Sequence, residues 1–315
     1  MKIKTLISAA FMLTGCTINE TLVHDPELNL MFQPEMYMHV SQEGTVRFPT
    51  EENFAVRAWM LPQNVSWNEG IGHAIEYMPL SEAYSREVTI TDSDTRIAAK
   101  DTLWGTSETL LWPSSNDNLT FLAYAPFGAE CNCDIENGIS FHSDILLRQE
   151  DILFTEPQAD RHKIEDGWVV PLQFSHALCK VNFRIKNRVP EREEILIRRI
   201  AISSAYTKGH FSSFRTPQWI QEGTPAEILF FEGESPTDNL PTDIGSGLMM
   251  IPQKLDTRIT LDYDYQTSGG AGLPMHQQTS VINTELEAGH SYTYTLSVGI
   301  DDVKLMQEII GDIFE

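Results

Sequence analysis

Polar and apolar residues alternate along much of this chain with a period of two, the spacing of a strand that buries one face and wets the other. The pattern is cleanest where Ala177, Cys179, Val181, Phe183 and Ile185 oppose Lys180, Asn182, Arg184 and Lys186. It returns where Ile259, Leu261, Tyr263 and Tyr265 oppose Thr260, Asp262, Asp264 and Gln266. It returns again where Tyr292, Tyr294, Leu296, Val298 and Ile300 oppose Thr293, Thr295, Ser297 and Gly299. Near the start, Met36, Met38 and Val40 alternate with Tyr37 and His39 in a strand expected over 28–40. A second strand is expected over 54–60, with Gly44 and residues 46–49 forming a mobile link between the two. Further strands are expected at 87–91, 118–125, 138–141, 151–155, 195–203, 228–231 and 248–251. Short β-branched and aromatic runs separated by Asn, Asp, Pro and Gly predict an all-β protein of sandwich domains. The run 232–247, rich in Pro, Asp, Gly and Ser, reads as a surface loop.

Pro171 would deprive a central strand of a ladder donor, so it marks an edge or a crossover, and a domain boundary is placed there. A chain of 315 residues can hold two cores. It divides into a leader (1–16), a first domain (17–170) and a second (171–315). The tail reads two ways. Val303 and Leu305 share a strand face, whereas Val303, Met306, Ile310 and Ile313 fall at helical spacing behind Asp301 and Asp302, which could cap a helix.

The leader has a charged start at Lys2 and Lys4, an apolar run over 6–13 too short to span a membrane as a mature helix, and Leu13-Thr-Gly-Cys16 at its end. That close resembles a bacterial lipobox, in which the peptide is cut before the cysteine and its sulfur carries a diacylglycerol. Several long acyl chains hold a protein to a membrane where one is marginal.

Acidic residues outnumber basic ones 45 to 22, a formal net charge of −23. Such a surface repels nucleic acid and anionic lipid, and its simplest service is solubility. The four cysteines make no disulfide framework: Cys16 belongs to the leader, Cys179 lies on an apolar strand face, and Cys131 and Cys133 are too close for an unstrained bridge. Cys131 and Cys133 could hold a metal with His142, but zinc sites favour C-x-x-C spacing and four ligands, so a plain loop is the simpler reading. No metal and no cofactor is expected.

Catalytic motifs are missing: the sequence has no G-x-S-x-G elbow, H-E-x-x-H helix or phosphate-cradling glycine loop. Ser175 and His176 are neighbours and point to opposite faces of a strand. Asp92 with Asp94, Asp262 with Asp264, and Asp301 with Asp302 are pairs that so acidic a chain supplies by chance, and alternation puts Asp262 and Asp264 on a solvent face. Trp67, Trp104 and Trp219 could line a sugar-binding surface, though tryptophans more often sit in a core or at its boundary. A non-enzymatic protein is expected.

The segment 170–185, with Leu172, Phe174, His176, Ala177, Leu178, Lys180, Val181 and Phe183, resembles the one that opens the second domain of fimbrillin-like proteins of Bacteroidales, the building blocks of type V pili. Segments at 48–59, 112–113, 121–126, 149–153, 250–253 and 289–296 follow the family order. The resemblance implies two transthyretin-like β-sandwich domains in tandem with Greek-key connections. It implies an outer-membrane lipoprotein anchored at Cys16 and exposed at the cell surface, within a fimbrium. It also implies a cut after Arg47, leaving Phe48 as the new N-terminus and taking the first strand out of its sheet. An extended segment of another subunit then fills the slot, as in strand addition generally. Arg57, inside a strand, is the poorer substrate. The resemblance favours the extended tail, with Val298, Ile300, Val303, Leu305 and Ile309 as donor-strand candidates. Its partners would be other pilus subunits, the outer membrane, and a host or bacterial surface ligand. The alternatives are a pilus anchor, or a surface lipoprotein that binds glycan or a host ligand without polymerising.

Overall fold

The structure is a computed structural model that describes residues 30–39, 44–91, 98–108, 110–113, 117–161, 169–190, 193–267 and 272–313. The first half of the chain supplies β1 (Met31–Met38), β2 (Gly44–Arg47), β3 (Phe54–Leu61), β4 (Ile75–Thr91), β5 (Ala98–Thr106), β6 (Asn118–Ala125), β7 (Asn132–Asp134), β8 (Gly138–Asp144), β9 (Leu153–Thr155), β10 (Gln158–Arg161) and β11 (Val169–His176). A helical turn, α1 (Trp67–Gly70), follows β3. Nine of these strands form one sheet in the order β10-β6-β3-β4-β5-β1-β11-β9, with β2 paired to β1. A second pairing of β6, Tyr124 with Phe154 and Ala125 with Leu153 of β9, closes the sheet on itself. The enclosed core contains Phe32, Phe54, Val56, Trp104, Phe121, Leu172 and Phe174.

The second half supplies β12 (Cys179–Asn187), β13 (Glu194–Ala205), β14 (Lys208–Ser212), β15 (Gln218–Glu222), β16 (Ala226–Pro236), β17 (Thr242–Met250), β18 (Gln253–Gln266), β19 (Gly272–Leu286), β20 (His290–Val298) and β21 (Val303–Asp312). Two four-stranded sheets, β17-β12-β20-β21 and β16-β13-β18-β19, enclose a core built on Val181, Phe183, Ile200, Leu261, Tyr294 and Leu296. The alternation read from the sequence is what faces that core: β12 is buried at every second position.

A fourth sheet, β15-β14-β8-β7, mixes the halves. Residues of β14 pair with β8 from Lys208 opposite Asp144 to Ser212 opposite Ser140. This sheet covers the outer face of the closed one, and Phe211 and Ala177 lie in the core between them with Trp59, Leu122, Tyr124, Phe141 and Phe154. β6 thus has a core on each side and is buried at all eight positions, which is why its sequence runs apolar instead of alternating.

Three expectations need correction. The crossing expected near Pro171 lies a few residues beyond it, because among the described residues β11 belongs to the first sheet, paired with β1 over Val169–Phe174 and with β9 only over Phe174–His176. At Pro171 the strand has a neighbour on one side alone, so the missing N–H costs nothing. The chain crosses between cores just after, where Ala177 lies in one and Leu178 in the next. Residues 208–222 do not stay with the second domain, as the mixed sheet shows. The run 232–247 is not a loop but largely β16 and β17, leaving 237–241 between them. Its polar residues serve as cross-strand partners: Arg198 pairs with Glu234 and Arg184 with Asp243, while Gly245 (φ 72°) and Gly247 (φ 86°) carry the bulge opposite β12.

The shared core gives a direct test. Phe211→Ala is expected to destabilise the protein by about 3–5 kcal/mol in urea unfolding. Hydrogen exchange should rise over Gly138–Asp144 more than over Gln253–Gln266.

Candidate functional site: the two terminal strands

β1 is not at an edge. It pairs in parallel with β11 from Met31 opposite Val169 to Met36 opposite Phe174, and on its other side meets β5 at Phe32 opposite Trp104. Further along that side β2 folds back on it, Glu35 opposite Arg47 to Met38 opposite Gly44. Leu30, Phe32 and Met36 are buried in the enclosed core. The Phe32 ring meets Phe54 and Phe121 edge-on at 6.1 and 5.7 Å. At about 1.5–3 kcal/mol for each buried side chain, these three contribute about 5–9 kcal/mol, a large part of an ordinary domain's stability.

Arg47 ends β2, so the link expected to be mobile is a hairpin strand up to that residue. Residues 44–47 pair with β1 because Thr45 and Val46 are β-branched and suit a strand. The Arg47 side chain is nonetheless 70% exposed, and its ion pair with Asp101 at 3.3 Å is of the surface kind that contributes about 0–1 kcal/mol. Beside it lies a cleft of about 100 Å³ lined by Gln33, Glu35, Asp101 and Trp104. The next residue is anchored: Phe48 is 1% exposed, with its ring 4.9 Å from Phe174, 5.8 Å from Trp104 and 5.9 Å from Phe54. Arg57 is held in β3 between β4 and β6, where its Nε donates to Glu76 at 2.9 Å and its Nη1 to the Cys133 carbonyl at 2.6 Å.

The tail is extended, as one of its two readings has it. β21 runs antiparallel to β20, with Val303 opposite Val298 and Leu305 opposite Leu296. Val298 itself is fully buried in β20, which has β12 on its other side, so in this structure it is a core residue of its own subunit. Ile300 lies in the turn between the strands, 38% exposed. A bulge at Met306 then shifts the register, so that Ile309 faces Thr293 and Ile310 faces Tyr292. Ile309 is therefore on the other face from Val303 and Leu305, a consequence no period count reveals. Beyond the bulge Ile309 and Ile310 are 40% and 46% exposed. Side chains of β19 bridge to the outer edge of β21: Leu305 N–H donates to Ser280 Oγ at 3.1 Å, and Thr284 Oγ1 donates to Glu308 Oε1 at 2.8 Å. Cys16 lies outside the described residues.

The other candidates are structural. Trp67 and Trp104 are buried and Trp219 donates its Nε1 to the Ala177 carbonyl at 2.7 Å. Asp262 is not on a solvent face: it is 6% exposed because Arg199 and Gln277 cover it, Gln277 Nε2 donating to it at 2.9 Å. His176 is buried and its Nδ1 bonds the Asp151 carboxylate, not Ser175. The His142 ring lies tilted by 35° at 4.7 Å from that of His210, and its Nδ1 is 3.4 Å from the Glu222 carboxylate. It borders a cleft of about 310 Å³ floored by Phe141 and Ile152. Charges around that cleft pair with one another, Arg148 with Glu130 and Lys208 with Asp144, each at 3.1 Å.

Burial pushes the Cys131 and Cys133 thiols up to about 12; Glu150 adds to the effect at Cys131, while Arg57 opposes it at Cys133. Burial also raises the Cys179 thiol. Neutral thiols are poor nucleophiles and poor metal ligands. In a chain carrying Cys16→Ser, a thiol reagent at about pH 7.5 should label the native protein at under about a hundredth of the rate seen in denaturant.

Residues 67–310 match the fimbrillin-like family. A fimbrial protein from Bacteroides vulgatus is similar in fold, with 16% identity, 90% of this chain and 99% of that one covered, and a TM-score of 0.64. A candidate cell adhesion protein from Bacteroides uniformis has 16% identity, coverage of 91% and 99%, and a TM-score of 0.53. One from Bacteroides ovatus has 12% identity, coverage of 91% and 98%, and a TM-score of 0.50. No curated protein matches. With most of its length matched, the chain belongs to the fimbrillin-like family, a group of structural and adhesion proteins rather than enzymes.

Proposed function

We propose that this chain is a subunit of a cell-surface fimbrium, delivered as a lipoprotein, processed after Arg47 and joined to its neighbours by strand addition. Family membership supports a pilus or adhesion role. The observation that carries the mechanism is the position of β1: it lies inside a closed sheet, yet is tied to the rest of the chain through an exposed arginine. A cut there releases β1 and β2 together and leaves Phe48, already packed among aromatic rings, as the new start. The gap between β5 and β11 then presents unpaired backbone groups beside the positions of Leu30, Phe32 and Met36.

β21 suits the role of donor. It is an edge strand with apolar residues on both faces, and a straight strand without the Met306 bulge would place Val303, Leu305 and Ile309 on one face. Residues 1–16 serve as the leader and Cys16 as the lipid anchor at the outer membrane. The cleft beneath His142 favours a second reading, a surface lipoprotein that holds a small ligand without polymerising.

N-terminal sequencing of sheared surface material against the detergent-extracted membrane fraction separates these readings. A released form starting at Phe48, lost in Arg47→Gln, is expected. Deletion of residues 303–315 should leave that cut intact and stop chain growth. A protein found only in the membrane, starting at Cys16, would refute the polymer and leave the ligand-binding reading.

A further inference from the structure

The two terminal strands meet. His39, the residue after β1, donates its backbone N–H to Asp312 Oδ1 at 2.6 Å, across 273 residues of sequence. Asp312 is the last residue of β21 and lies opposite His290, the first of β20. The His39 ring keeps one side in solvent and lays the other against the β19–β20 turn. It lies 5.5 Å from the His290 ring, and so close over Gly289 that a β-carbon there would stand 2.4 Å from it.

This contact sits where β21 most needs one. Val303 is buried at the start of the strand, but past the bulge Ile309 and Ile310 are largely exposed, and burial returns only at Asp312, 2% exposed. Beyond its ladder to β20, the far half of β21 is secured at its end, by Asp312 and by Ile313 packed against the core. A carboxylate so deeply placed depends on its donors, and one of them is the backbone of His39.

We propose that His39 and Asp312 form a catch by which the N-terminal segment holds β21 in its own subunit, so that losing that segment loosens the strand at the other end of the chain. The catch couples two events: the cut that opens the groove also frees the strand able to fill another subunit's groove. An uncut subunit keeps both closed. This purpose rests on the strand-addition reading, while the coupling itself does not.

The catch is also sensitive to acid. His39 is surrounded by His290, His176, Asp312, Glu287 and Tyr37. Burial first, then the neighbouring His290, holds its pKa below the ordinary imidazole value, against the opposing pull of Asp312 and Glu287. The unfolded chain therefore binds this proton more readily than the folded one. Stability from the contact is present above the ordinary value and is lost as pH falls through it toward the lowered one.

Hydrogen exchange on the full chain carrying Cys16→Ser, corrected for intrinsic rates, tests this. Asp312→Ala, which removes the acceptor of the His39 N–H, should speed exchange across Val303–Asp312 about tenfold at pH 7.5 and leave Phe54–Leu61 unchanged. Wild type should loosen selectively over Val303–Asp312 as pH falls below about 6.5, and His39→Ala, which lacks the imidazole, should lose that pH dependence. His39→Pro, which has no N–H to donate, should speed exchange as Asp312→Ala does, and the double variant should loosen β21 no further. Unchanged exchange over Val303–Asp312 overturns the catch, as does a rise of equal size over Phe54–Leu61. If Asp312→Ala folds poorly, His39→Pro decides by the same criterion. Failure here leaves strand addition standing, since that reading depends on the N-terminus of the released subunit.

Discussion

The fold depends on a strand being present between β5 and β11. A backbone in the interior of a sheet must bond on both sides, and its inward side chains must fill the enclosed core. β1 meets both demands with little that is specific to it: a parallel ladder, and Leu30, Phe32 and Met36 turned inward. Any extended segment with apolar residues at alternate positions could satisfy the same groove. The sheet fixes that a strand is needed, and leaves open which chain supplies it.

The C-terminal strand is the converse case. β21 has a core to cover at its start and less beyond: its bulge at Met306 turns Ile309 away from the side that Val303 and Leu305 share, and Ile310, though opposite Tyr292, is 46% exposed. Its outer edge is met by side-chain hydroxyls of β19 rather than by a backbone ladder. A strand held this way can leave its sheet at smaller cost than β20, which is paired on both sides and buried along most of its length.

Much of this was legible in the sequence where burial is one-sided or complete. The alternation of β12, β18 and β20 named the faces that pack, and the apolar run 118–125 matches β6 because two cores press on it. Pairing partners were not legible. Alternation says which way a side chain points but not which strand lies beside it, so the return of Lys208–Ser212 to β8 gave no signal, and the polar ladder of β16 passed for a loop. At the candidate site, the exposure of Arg47 at the end of a strand, the burial of Phe48 and the meeting of His39 with Asp312 arise from tertiary packing alone.

The mixed sheet also sets the order in which the molecule can be finished. Chains emerge from synthesis and export N-terminus first, and early domains ordinarily close before later ones appear. Here the first unit cannot: its outer core waits for Phe211, and β8 waits for Lys208–Ser212, so β3, β6 and β9 keep an uncovered apolar face until that hairpin arrives. The part of the protein made first is sealed late, and a chain that stopped short of Phe211 would leave that face open to water.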